Sequence, residues 1–448
     1  MRLDGSGLTC AQVSAAAYGR APVSIDSLDR ARTAWRTARS LSGAVYGQTT
    51  GVGANKDVDV AAGGLALLRS HAGGAGPVVE EVRARAMLVV RLNQLLAGGS
   101  GVDPRLLPVL ADTINSGRTP PIRRYGAIGT GDLTALATTA LCLLGEVPWR
   151  APSSPSAFAP PAAEPRFALA SGDALPFISS GAATLGDAAL ACHSLGHLLD
   201  VAVDVAALSF VATGASAEPF AGAVQEARPH PGQAVTAARL RGLLSREHAT
   251  RIQDPYGYRA FAQVHGAAVD ARERADQVVA VDLNAATENP LIAGDLAWHN
   301  GNFHSAPIAL ALDALRAAVV PTAQLSTARL ATLMDPAYTG HLPFLAATPG
   351  ESGVMILEYI AQDALAELRH LAAPVTGATA VISRGTEDHA GFATQAARHA
   401  LRCVEPLEII LACEHVASTR ALNPPPPPDH PLDEALIQAR LRLRPQAG

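Results

Sequence analysis

Several residue groups in this 448-residue chain have the types and spacing that acid–base chemistry on a small organic acid requires. In Gln253-x-x-Tyr256-x-x-Arg259, steps of three predict side chains on one side of a helical turn. Arg259 offers a planar, permanently charged fork that can hold a carboxylate through two parallel hydrogen bonds. An ion pair on a helix surface is the alternative reading of that arginine. Tyr256 adds a hydroxyl that can orient or protonate an intermediate. Tyr46 is followed by Gly47, Gly51 and Gly53, which predicts a mobile loop over a site. A phenol with a pKa near ~10 is a weak base at neutral pH unless its surroundings favour the phenolate, and a packed loop tyrosine is the plain alternative. His71, beside Ser70, can hydrogen-bond a polar ring or a carboxylate, or be a satisfied core histidine. His193 and His197 have the spacing of two ligands on one helix face, but no third ligand is evident, so ordinary packing and no metal are expected.

These side chains need long helices to hold them. Hydrophobic residues make up 48% of the chain and charged residues only 17%, which predicts extensive burial between subunits. Aromatics are scarce, and Ala and Leu dominate, favouring helices over a β-sandwich. A net charge of −5 without a basic cluster gives no footprint for nucleic acid or an anionic membrane. The five cysteines are far apart and form no CxxC pair, so neither a disulfide framework nor a thiolate zinc site is expected. The N-terminus does not read as a signal peptide, and Asp313 and Arg316 interrupt the apolar run after Pro307; the cytoplasm is the expected place.

Residues 78–97 predict an amphipathic helix with Val82, Ala86, Val89 and Leu96 inward and Glu80, Glu81 and Arg83 largely outward. A second helix is expected from Asp103-Pro104 to Gly117. Further helices are expected at 181–212, 258–286, 306–334, 352–372 and 388–418, several too long for an ordinary globular helix. Residues 147–166, rich in Pro and Ala, predict a linker or surface excursion. Pro424–Pro428 predict an extended tail. The expected organisation is a loop-rich domain over 1–180, a long-helix bundle over 181–420 and a Pro-rich tail over 421–448.

The order of motifs adds what no single one carries. Tyr46-Gly-Gln-Thr-Thr-Gly-Val-Gly53 precedes Ser70-His-Ala72, Asn115-Ser-Gly117 and Gly129-Thr-Gly-Asp-Leu133. Ala227-Arg-Pro-His-Pro-Gly-Gln233 and the Arg251–Arg259 stretch follow. Glu288-Asn-Pro-Leu291, Gly301-Asn-Phe-His304 and Thr386-Glu-Asp-His389 complete the set. This order resembles the histidine and aromatic amino acid ammonia-lyases over roughly residues 20–420. The resemblance implies a mostly α-helical homotetramer with active sites assembled from loops of several subunits. It also implies a catalytic acid–base role for Tyr46, carboxylate binding by Arg259 and a substrate-distinguishing role for His71, whose Ser-His pair is similar to the histidine-specific branch. Glu387 matches a glutamate that accepts from a substrate amine or ring N–H; Asn302 is implied near the carboxylate, and Phe303 in the pocket wall. Arg384, three residues before Glu387, is read as neutralising it or meeting a second acidic group on the substrate.

The same resemblance implies an electrophile, a methylidene-imidazolone made by cyclising Ala-Ser-Gly. Here Gly129 and Thr130 replace the alanine and serine before Gly131, and the segment is one residue short. A ring from threonine would carry an extra methyl on its electrophilic carbon. Ser179 stands where the family has an asparagine that supports the electrophile's oxygen. The expected function is therefore electrophile-independent acid–base elimination from a carboxylate-bearing small molecule, or the reverse addition or cyclisation, without a cofactor. One alternative is a histidine-type or aromatic amino acid ammonia-lyase with a threonine-derived electrophile. The other is an inactive binding protein on a lyase scaffold.

Overall fold

The computed structural model describes residues 1–19, 21–60, 64–153, 164–244 and 251–444; part of the expected 147–166 excursion lies outside them. The fold is mostly helical, and the described strands are confined to two-stranded pairs. One compact unit comprises Met1–His193, Asp276–Leu312 and Pro374–Arg398, and a second Ser194–Ala275, Asp313–Ala373 and His399–Gly448. These discontinuous units do not coincide with the expected boundaries after residues 180 and 420, because the longest helices contribute residues to both units.

In the first unit the expected 78–97 helix spans Glu81–Ala97, but it is not amphipathic. Met87 to Leu96 are buried without interruption, including Arg91, Asn93 and Gln94. Burying such polar groups is costly unless each finds a partner. Arg91 does: it pairs with Glu288 at 2.9 Å and donates to the Phe177 and Pro176 carbonyls. Asn93 donates to the Leu283 carbonyl and accepts the Gly5 N–H. Gly186, on the Ala182–Thr213 helix, lets the two helices approach closely, since a Cβ there would lie 2.9 Å from the Met87 nitrogen. Antiparallel pairing of Ala75–Val78 with Arg123–Tyr125, and of Leu291–Ala293 with Leu296–Trp298, fixes the loops that leave this core.

In the second unit Phe210 meets Phe220 and Tyr258 edge-on, with ring centroids 5.4 and 5.0 Å away. A separate cluster gathers Leu330, Leu333, Leu345, Leu357 and Ala417. Arg329 and Glu414, both fully buried, form a two-bonded pair at 2.6 and 2.8 Å, and the hydroxyls of Ser209 and Ser326 satisfy the same carboxylate. Asp313 and Arg316 are likewise ion-paired and buried. The Ala306–Leu333 helix that carries them and the Ser171–Thr213 stretch are long and apolar enough to cross a membrane by length and composition; half or more of each most apolar window is buried in the protein.

The expected 258–286, 306–334 and 352–372 helices run over Phe261–Leu283, Ala306–Leu333 and Ile356–Leu371. The expected 388–418 helix is two, Ala393–Arg402 and Val404–Leu422, divided at Cys403. Pro406 explains the restart, because proline fits only the first turn of a helix. The tail is non-helical across Pro424–Pro428 but folds again as Asp433–Leu443, tied to Glu408 by Arg440 and Arg444 at 3.0 Å each.

Candidate active site

A cavity of about 680 Å³ opens in the first unit, lined by Tyr46, His71, Thr130, Gly131, Ser179, Phe303 and Glu387 among others. These seven expected residues come from six separated stretches of chain, so the fold, not sequence proximity, assembles them. Gly129 lies buried beside Thr130. Asn302 and Arg384 do not line the cavity of the single chain and are exposed. Gln253, Tyr256 and Arg259 belong to the second unit and do not line it either. Gln253 also precedes the short Tyr256–Arg259 helix, so the expected shared helical face is not formed. The Arg259 guanidinium instead lies over the Tyr256 ring, 4.5 Å from its centroid, while Tyr256 stays two-thirds exposed.

Tyr46 is held in its loop from both ends. Its N–H donates to His299 Nε2 at 3.3 Å, and its hydroxyl accepts the Gly53 N–H at 2.7 Å. Burial raises the phenol's pKa above its ordinary value; the Gly53 hydrogen bond opposes this, and the nearby Glu387 charge adds to it. At neutral pH Tyr46 is therefore a phenol, a proton donor in its resting state. Gly53 sits at φ +56, and a Cβ there would come within 2.5 Å of Ser383 Oγ and 3.4 Å of Glu387 Oε1. The glycine thus brings the tyrosine loop against the turn that carries the glutamate.

That turn is closed by reciprocal hydrogen bonds between Ile382 and Glu387, at 2.9 and 3.4 Å. Ser383 and Arg384 both occupy left-handed backbone, at φ 51 and 54, without being glycine. Ser383 Oγ accepts the Ala54 N–H at 2.9 Å, which ties the two loops together again. Elsewhere in the cavity lining His71 Nδ1 is within 2.9 Å of the Leu67 carbonyl. A carbonyl can only accept, so Nδ1 carries the proton and Nε2 is left as an acceptor.

Gly129 sits at φ +90, and a Cβ there would meet the Ala393 nitrogen at 2.5 Å. The Gly129 carbonyl accepts the Ser305 N–H at 3.2 Å, and the preceding Ile128 carbonyl accepts from Phe392 at 3.0 Å. Asp132 is buried and takes the Thr184 N–H at 2.7 Å and hydroxyl at 2.9 Å; burial still pushes its pKa up to about 6. Ser179 Oγ accepts the Asn289 N–H at 3.2 Å, and the buried Arg91–Glu288 pair braces both neighbouring segments. His299 and Lys56 also line the cavity and were missed by sequence reasoning, and so does Asn289, a residue of the Glu288-Asn-Pro-Leu291 motif that had been given no role. Of the first two, His299, just before Gly301-Asn-Phe-His304, was the one with a signal, as an imidazole beside a motif.

Residues 8–440 match the model of the aromatic amino acid lyase family. The histidine ammonia-lyase of Geobacillus thermodenitrificans is 35% identical, with 94% of this chain and 88% of the relative aligned. That of Streptomyces coelicolor is 34% identical over 93% of this chain and 87% of its own length. Among solved structures, histidine ammonia-lyase from Trypanosoma cruzi superposes with a TM-score of 0.85 at 27% identity, covering 99% of this chain and 93% of that one. Ergothionase from Treponema denticola shares the fold, with a TM-score of 0.87 at 22% identity over 99% and 98% of the two chains. The chain belongs to the aromatic amino acid lyase family and is an enzyme of the carbon–nitrogen lyase class.

Proposed function

We propose that the chain catalyses acid–base elimination from a carboxylate-bearing small molecule, or the reverse addition or cyclisation, without a methylidene-imidazolone group. The observation that carries this reading is the seat of Gly129. Ring closure needs the Gly131 nitrogen to move onto the Gly129 carbonyl carbon, and the hydrogen bonds from the Ser305 N–H to that carbonyl and from the Phe392 N–H to the preceding Ile128 carbonyl resist the backbone movement this takes. The Ala393 nitrogen leaves no place for the methyl of the alanine that the electrophile pattern carries. Thr130 in place of serine and Ser179 in place of the supporting asparagine agree with it.

Without an electrophile, an amine is not activated for departure, and each ~1.4 kcal/mol left in the barrier costs tenfold in rate. A leaving group that already carries fixed positive charge, such as a trimethylammonium, removes that need. Glu387 in the cavity wall favours such a cation. In the addition direction Tyr46, resting as a phenol, delivers its proton to the developing carbanion. In elimination it must first lose that proton; a bound cation offsets the charge of Glu387, which otherwise opposes the phenolate. Arg259, Gln253 and Tyr256 then anchor the carboxylate from a second copy of the chain, in a homotetramer. Its cysteines, all free and buried among the described residues, are those of a protein kept in the cytoplasm.

Intact-mass spectrometry tests the reading: the expected mass is that of the unmodified chain, and loss of two waters overturns it. The second reading, a histidine-type ammonia-lyase with a threonine-derived ring, is favoured by the 35% identity to a histidine ammonia-lyase and by the Ser70-His71 pair. Incubation with histidine, phenylalanine and tyrosine, followed by acrylate absorbance, separates the two.

A further inference from the structure

Away from the cavity, in the first unit, Cys10, Cys192 and Asp276 converge, with sulfur and carboxylate ligand atoms all within 4.8 Å of one another. Cys10 opens the Cys10–Ala17 helix, whose start is fixed by Thr9 and Gln12 in a reciprocal cap. Cys192 lies on the Ala182–Thr213 helix and Asp276 on the Phe261–Leu283 helix, so three helices aim one ligand each at one point. Both cysteines are buried, at 6% and 0% exposure, while Asp276 is partly exposed and gives an ion a route in. Among the described residues no other such group occurs. The sulfurs come from opposite ends of the first long stretch of chain, which is why a search for CxxC pairs finds nothing.

We propose that Cys10, Cys192 and Asp276 form a binding site for a thiophilic divalent cation, zinc above all, that clamps the N-terminal helix to the two long helices. Tetrahedral zinc takes sulfur at ~2.3 Å and carboxylate oxygen at ~2.0–2.2 Å, which places ligand atoms about 3.5–3.8 Å from each other. Closing from 4.8 Å or less needs only side-chain rotation. A dication between the two sulfurs and the carboxylate draws all three groups in as ligands. On binding, each thiol loses its proton and two metal–sulfur bonds form without any change of oxidation state, so two protons leave per ion. Water completes the coordination from the Asp276 side.

Cobalt(II) is the probe, titrated into the full-length, thiol-reduced protein. The expected result is a thiolate-to-cobalt charge-transfer band saturating at one ion per chain, about two protons released per ion, and loss of the band when zinc is added. Cys10→Ser and Cys192→Ser should each abolish the band while retaining the wild-type circular dichroism. Zinc should raise the melting temperature of the wild type and not of Cys10→Ser. Absence of the band in the wild type overturns the site, irrespective of how the variants fold. An undiminished band in the Cys10→Ser, Cys192→Ser double variant also overturns it.

Discussion

Gly129→Ala puts the seat beside Thr130 to a quantitative test. Two penalties add at this position. An L-residue at φ +90 pays for its left-handed backbone, ~1–2 kcal/mol. Its Cβ would also meet the Ala393 nitrogen at 2.5 Å, and because that neighbour is backbone rather than a flexible side-chain end, the overlap costs a further ~1–3 kcal/mol. The sum, ~2–5 kcal/mol, corresponds in a chain of this length to a fall in melting temperature of ~2–5 °C. Gly131→Ala is the control: φ is +120, but the nearest atom, Leu133 Cδ2, is 3.8 Å away, so only the backbone penalty of ~1–2 kcal/mol applies. Differential scanning calorimetry at one fixed scan rate ranks the two variants against the parent. Equal melting of Gly129→Ala and the parent refutes the packing argument. A Gly129→Ala, Thr130→Ser double variant that loses two waters while keeping the parent's melting temperature refutes its use against ring formation.

Tyr46→Phe should lower kcat at least ~100-fold with little change in melting temperature, since the hydroxyl's folding role is one accepted hydrogen bond worth about 1 kcal/mol; activity within threefold of the parent removes Tyr46 from the mechanism. Gly53→Ala should cut activity more than stability, because its Cβ presses on Ser383 and Glu387 rather than on the core, and paired activity and melting measurements decide. Asp132, with its folded pKa raised from 3.8 to about 6, holds a proton that the unfolded chain releases, so stability should fall as pH rises from 4 to 6, by on the order of 3 kcal/mol. Denaturation across that range should show a shallower fall for Asp132→Asn, and an unchanged slope contradicts the assignment. Arg91→Leu leaves Glu288 buried without its cation and should destabilise by ~3–5 kcal/mol in chemical denaturation, whereas a loss below 1 kcal/mol contradicts the bracing role given to this pair.

Much of the helical frame was legible because long Ala- and Leu-rich runs leave few other ways to satisfy a backbone. What escaped was set by tertiary partners. Arg91, which the amphipathic pattern left unplaced, is buried because Glu288 and two carbonyls, far off in sequence, surround it. The break at Cys403 and the helix after the proline run are local events that apolar content does not reveal. In the site, the motif residues Tyr46, His71, Ser179, Phe303 and Glu387 were legible through their order along the chain and do share a cavity. Spacing places the Gln253–Arg259 set on a local surface, which lies in the second compact unit, and carries no record of whether that surface completes a cavity of the same chain or of another copy. His299 escaped because its part is to accept a backbone N–H, a task that imposes no spacing on the sequence.

The left-handed Ser383–Arg384 pair carries a consequence for how this enzyme tolerates change. Each residue gives up ~1–2 kcal/mol that glycine would not. A chain with glycine at both positions would gain stability, yet its turn would wander among several shapes and Glu387 would spend less time aimed at the tyrosine loop. Selection for thermal robustness alone therefore pulls these positions toward glycine, while selection for turnover holds them where they are.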